Sequence, residues 1–195
     1  MSSRAEAVNN SMLVDFTAAT AAEICARLYL DEAARGLLRP GMSPSRFVDA
    51  LVEKQQYLAA IDFIAHALPA REAVWWGCLC LQHTCGDKLA PWERRAFRLT
   101  VQWVLQPNEA TRAAAKDPAD VLGPASAAGC LAAAANQTGG SVGPPQGPFI
   151  PPNPFAPARA VAIAVKVAAS KSAPPEIQAT LRALIQLGMG IRRGP

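Results

Sequence analysis

The residues with the chemistry to bind a metal or attack a substrate are Cys78, Cys80, His83 and Cys85, gathered in the segment Pro69–Gly86, PAREAVWWGCLCLQHTCG. A structural zinc site needs four ligands meeting at one point, each about 2 Å from the ion. On a helix turning about 100° per residue, Cys78 and Cys85 share a side while Cys80 and His83 point roughly the other way. The set cannot converge unless the helix breaks, and its composition gives it no cause to. Cys25 and Cys130 stand in contexts that suggest no ligand role, so the thiols read as small buried side chains in an alanine-rich core. A second reading makes Cys80 a nucleophile with His83 as its base, the arrangement of a thiol-dependent enzyme. A reactive thiolate needs a cation or a helix N-terminus beside it, and these residues fall in the middle and late part of the helix, where the dipole opposes it. No Gly-x-Ser-x-Gly turn or phosphate-cradling glycine loop is present, and His66 and His83 are the only histidines. The expectation is a protein that is not an enzyme, with no catalytic group, metal or cofactor.

The helix carrying the thiols also places Trp75 and Trp76. Pro69 opens it and Gly86 closes it. The two rings point about 100° apart, so each meets a different neighbour, or one is buried and the other presented. Core packing explains such a pair; an interface anchor is the functional alternative. Arg71 lies one turn before Trp75, close enough to stack on its ring. The counterpart of this helix is the uncharged run Gly139–Pro157, GGSVGPPQGPFIPPNPFAP. Pro144-Pro145, Pro151-Pro152 and Pro154 fix φ and make the run extended and semi-rigid. Phe149, Ile150 and Phe155 are its apolar side chains. They are either tucked into the core by a loop joining distant helices or displayed as a recognition surface. Trp75, Trp76, Phe149, Ile150 and Phe155 are therefore the candidate partner-binding residues.

The elements that position these groups are legible from caps and periodicity. Residues 1–16 form a flexible N-terminal tail, 17–190 a helical domain and 191–195 a C-terminal tail. Thr20 to Glu23 matches a capping box, with Ile24, Leu28 and Tyr29 on the apolar side of the helix. Asp31 caps a short turn, and Ser43-Pro44 starts a helix with Phe47, Val48, Leu51 and Val52 at helical spacing. Tyr57, Leu58, Ile61, Ile64, Ala65 and Leu68 continue that period. Pro91 opens the next helix, and Asn108 caps a short one that ends before Pro118. Pro124 opens another, lasting to Asn136. Within 158–169, Val161, Ile163, Val165 and Val167 alternate with smaller or charged residues, the period of a half-buried strand. Helix is the expectation there, because no other segment offers a partner strand. A final helix runs from Pro175 to Met189. The fold expected is all-α, one antiparallel helical array of about seven or eight helices with a long Gly/Pro-rich loop over 139–157.

Composition bounds the class. The chain has 195 residues, 51% hydrophobic and 17% charged, enough apolar surface for a packed domain. A net charge of +4 with scattered arginines excludes the clustered basic face of a nucleic-acid binder. The longest uncharged stretch, Val121 to Ala158, is too rich in proline and glycine for a membrane helix. The N-terminus lacks the pattern of a secretory signal. Five cysteines, an odd number, fit reduced thiols, and the expected location is cytoplasmic.

Two segments carry a resemblance. ALPAREAVWWGCLC (Ala67–Cys80) and GGSVGPPQGPFIPPNPFAPARAVAIAV (Gly139–Val165) resemble an uncharacterised bacterial family of about this length. Its members have a "PPREAVWW-C" segment and, after it, a "GGS-APP…PPPP" segment leading into an alanine/valine helix. The resemblance spans roughly Pro44 to Ala169 and departs at Asn153-Pro154-Phe155, where the family has an all-proline run. Genes of that family tend to lie among type VI secretion spike, effector-adaptor and accessory genes. The resemblance implies a cytoplasmic accessory, an adaptor or chaperone whose partner is a spike protein or effector, and it transfers no catalytic residue. The alternative within binding proteins is a structural subunit that self-associates through the tryptophan helix.

Overall fold

Short polar side chains placed just before apolar runs start many of the helices. Thr20 and Glu23 form the expected capping box at α1 (Ala21–Cys25), and Asp31 accepts from Ala34 N–H at 2.7 Å to start α2 (Glu32–Arg35). Ser43 caps α3 (Pro44–Glu53), with the proline at the first helical position, and α4 (Tyr57–Ala67) follows after a short break. α5 (Ala70–Cys85) follows Pro69 and ends at Gly86, whose φ of 51° takes the left-handed region that glycine enters without strain. Beyond it lie α6 (Pro91–Leu105), α7 (Glu109–Ala114), α8 (Lys116–Leu122) and α9 (Ala127–Asn136). After the Gly/Pro loop come α10 (Ala156–Ala169) and α11 (Ile177–Met189). The computed structural model describes residues 20–141, 143 and 146–191. The expected tail at 1–16, residues 192–195 of the C-terminal one, and Pro144-Pro145 lie outside these.

Among the described residues there is no strand, and eight of the helices have at least seven residues, so the chain is all-α. The α-helical form of α10 resolves the ambiguity over 158–169. Val161, Ala162, Ala164, Val165, Ala168 and Ala169 are all buried, which is the wide stripe of a helix covered on several sides. α10 packs on α9, α5 and α4 at once, while Ile163, one of the alternating large residues, is 44% exposed, so the alternation does not mark a single buried face. The helix that Asn108 caps, α7, ends at Ala114, before Pro118 as expected; Pro118 itself sits in the first turn of a further helix, α8, where its missing N–H has no intrahelical partner to lose. One expected boundary differs. Pro124 does not open α9; Ser126 does, its hydroxyl accepting from Gly129 N–H.

Three of the packed helix pairs show an antiparallel course. Phe47 near the start of α3 meets Phe63 near the end of α4, ring centroids 4.9 Å apart. Arg71 in the first turn of α5 donates from Nε to the carbonyl of Val104 at the end of α6, at 2.7 Å. Asp62 of α4 holds Lys166 late in α10 at 2.6 and 2.7 Å, while His66, further along α4, lies by Phe155 just before α10. The centre is where α5, α9 and α10 meet. Gly77 of α5 lies against Leu131 and Val161, and an added Cβ would stand 2.3 Å from Leu131 Cδ2. Alanine-rich α9 is buried along most of its length for the same reason: small side chains let helix axes approach closely.

Candidate functional site

α5 settles the position of the thiols. It is covered by α10, α6, α9 and α11, so directions opposed around its axis both lead into the core. Cys78 and Cys80 are both buried, whereas His83 is exposed. Burial pushes both thiols up, out of the range in which a thiolate forms near neutral pH, and the nearby Cys78 adds to the effect on Cys80. Cys80 therefore offers no accessible nucleophile to pair with His83. Among the described residues no three His, Cys, Asp or Glu side chains stand close enough to hold a metal ion.

The tryptophan pair divides. Trp76 is 0% exposed, and its Nε1–H donates to the Leu184 carbonyl on α11 at 2.9 Å. It is a core residue with no surface to give a partner, a correction to its place among the partner-binding candidates. Trp75 is half-buried at the edge of the same core. Arg71 does not stack on it, since its guanidinium is held by Val104. The cation–π contact found is Arg182 over Tyr57, 5.3 Å from the ring centre.

The loop after α9 is held at its base. Arg112 of α7 donates to the Asn136 carbonyl at 2.6 Å and side chain at 2.8 Å, while Glu109 takes its other two nitrogens at 2.8 and 2.6 Å. Its guanidinium lies so close to Gly140 that a Cβ there would be 2.4 Å from Nη2. The Ser141 hydroxyl then accepts from Gly143 N–H at 3.1 Å and Ile150 N–H at 3.0 Å, closing the excursion between them. Phe149 stands 70% exposed and Ile150 45% exposed, so these two are displayed and not tucked into the core. Asn153 gives the departure from an all-proline run a physical meaning. Its side chain accepts from Phe155 N–H at 2.8 Å and its carbonyl from Ala156 N–H at 2.9 Å, turning the chain into α10. Phe155 is half-buried, its ring centre 6.4 Å from that of His66.

At that end the loop borders a groove that the residue pattern did not reveal. A cleft of about 560 Å³ is lined by Arg27, Tyr29, Arg35, Asp62, His66 and Arg159. A smaller one of about 150 Å³ shares Arg27 and His66 and continues past Pro154, Phe155 and Pro157. His66 is 8% exposed; its Nδ1–H donates to the Asp62 carbonyl at 2.8 Å, and Nε2 is buried with no hydrogen-bond partner. Burial holds the imidazole below its ordinary pKa, outweighing the Asp62 carbonyl and carboxylate that favour the cation. The ring is thus neutral, and its free Nε2 is an acceptor. The one signal in the sequence was a histidine inside the otherwise apolar run Phe63–Leu68.

Around these features stands an all-α protein with a braced, apolar-tipped loop beside a groove edged by arginines. Over residues 47–192 the chain matches a family of unknown function, DUF6931, and belongs to it. No curated protein and no solved structure matches it. His66, Phe149, Phe155 and Arg159 fall within the matched residues, while Arg27 and Arg35 precede them. Among the described residues no helix is long and apolar enough to cross a membrane.

Proposed function

We propose that the chain is a non-enzymatic interaction protein, an accessory adaptor or chaperone that holds a type VI spike component or effector in the cytoplasm. The observation that carries the interaction reading is the display of Phe149 and Ile150 on a loop braced by Ser141 and Arg112. A large apolar side chain held out by a hydrogen-bonded backbone loses less entropy on docking, and such side chains supply the anchors of protein interfaces. The secretion context is supported by the resemblance of Ala67–Cys80 and Gly139–Val165 to a family found among such genes. The test is a pull-down from a strain carrying its secretion genes, with wild type and a Phe149→Ala/Ile150→Ala variant checked for folding. Wild type should recover a spike protein or effector and the variant should not. Recovery of no secretion component by wild type refutes the adaptor, and equal recovery by the variant refutes the loop as its contact.

Self-association is the second reading, and a particular observation moves it away from the tryptophan helix. Trp92 of α6 and Val121 of α8 are exposed and line one cleft of about 270 Å³ with Leu122 and Pro118. A Trp92→Glu variant that turns a dimer into a monomer by light scattering would establish it; a wild type that is monomeric at high concentration removes it.

A further inference from the structure

We propose that the groove between the α1–α2 connection, α4 and the start of α10 binds an acidic peptide segment, with carboxylates on Arg27, Arg35 and Arg159. The inference rests on the interaction reading for taking a protein as the ligand; the groove's own chemistry selects an acidic one. Among the described residues none of the three guanidiniums has a carboxylate within 4.0 Å, for the ion pairs formed are Arg112–Glu109, Lys116–Asp120 and Lys166–Asp62. Asp62, the one acid lining the groove, is taken by Lys166 through both oxygens. Among the described residues the groove is thus lined by three guanidiniums that no carboxylate pairs.

The second requirement is extent, and the groove has the shape for a chain: its two parts share Arg27 and His66 and are lined from Tyr29, 85% exposed, to Pro154 and Phe155. Apolar lining along that length suits side chains between the acids and has no use for a bare inorganic anion.

Fluorescence anisotropy at low salt tests this with a labelled peptide alternating glutamate and alanine and its glutamine counterpart. The glutamate peptide should bind wild type at least about tenfold more tightly than the glutamine one, and Arg27→Gln/Arg159→Gln should weaken it by a similar factor. A control, Arg95→Gln/Arg98→Gln, removes the same charge from α6 and should change affinity less than about twofold. Failure of wild type to bind, equal binding of the two peptides, or equal losses in groove and control variants overturns the proposal. Displacement of the peptide by an equal concentration of inorganic phosphate overturns it too, assigning the groove to a small oxyanion. None of these outcomes involves Phe149 or Ile150, so the groove can fail while the loop contact stands, and the reverse.

Discussion

Trp76 is the residue whose loss the structure says will cost most. It is fully enclosed where α5 meets α11, and it makes one hydrogen bond, Nε1–H to the Leu184 carbonyl at 2.9 Å. Replacing such a ring with alanine costs about 3–5 kcal/mol from lost burial and the cavity left behind. Total stability of a domain is about 5–15 kcal/mol, so Trp76→Ala should leave a barely folded protein. With a urea slope of about 2 kcal/mol per molar, its midpoint should fall by roughly 1.5–2.5 M. Trp76→Phe separates the contributions. Leu184 lies inside α11 and keeps its helical partner, so the phenylalanine variant loses a hydrogen bond worth about 1 kcal/mol and some ring contacts, about 2 kcal/mol in all. Trp75→Ala, at a half-buried site, should cost about 1–2 kcal/mol. Gly188 supplies an internal check, since a Cβ there would stand 2.9 Å from Trp76 Cε2 and Nε1 and from Ile64 Cγ2. Gly188→Ala should destabilise the wild type by about 1–3 kcal/mol and the Trp76→Phe background by less, because part of the obstructing ring has gone. Equal midpoints for the alanine variants at Trp75 and Trp76, or strict additivity of Gly188→Ala with Trp76→Phe, would refute this packing.

The remaining predictions concern groups whose environments are equally specific. Burial holds His66 below its ordinary value of 6.5, with Arg159 and Arg27 acting in the same direction and Asp62 against it; Lys166 and Arg35 are the other charged groups near that pocket. The unfolded state therefore takes up the proton first, so the contribution of neutral His66 is complete above pH 6.5 and is lost as pH falls through the folded value. Denaturant midpoints should fall more steeply below pH 6.5 for wild type than for His66→Gln, and parallel profiles would sink the assignment. Of the five cysteines, Cys78 and Cys80 should resist a thiol reagent in the native state and react on denaturation, while the half-buried Cys25 and Cys85 react earlier; native labelling of Cys80, located by mass spectrometry, contradicts this. Ser141→Ala frees the N–H groups of Gly143 and Ile150 on an exposed loop, so chymotryptic cleavage after Phe149 should accelerate with a midpoint change under about 1 kcal/mol. Unchanged cleavage would mean that the hydroxyl does not brace the loop.

Helix starts were legible wherever the determinant was a local side chain. Thr20 with Glu23, Asp31, Ser43 before Pro44, and Asn108 each satisfy a free N–H two or three residues on, a geometry that needs no tertiary information. Proline was less informative, because it is tolerated throughout the first turn and not only at its first position. Pro118 thus sits within α8, and Pro124 lies before a helix that Ser126 starts. Tyr29 fell on the expected apolar side of a longer first helix, but α1 ends at Cys25 and the ring is exposed. The thiols show the converse limit. Position around the helical period does not separate buried from exposed on α5, because the helix is enclosed and Cys78 and Cys80 both find core.

The loop and the groove differ in the same way. The loop's apolar side chains were visible as residue types, and what the sequence withheld was the brace: Ser141 reaching Ile150, and Arg112 reaching back from α7 to Asn136 and Gly140. The groove was invisible because its charges come from separate elements, Arg27 and Arg35 around the α1–α2 connection and Arg159 on α10. Arginines that read as scattered along the chain become one positive edge only when α10 returns beside α4. Arg27 and Arg35 also precede the family-matched residues 47–192, whereas His66, Phe155 and Arg159 lie within them. The floor of the groove thus belongs to the family core and part of its charged rim to the segment before it. Since Arg27 and Arg35 are exposed, the rim can change without disturbing the packing beneath, and recognition of an acidic partner can be tuned at little cost to the fold.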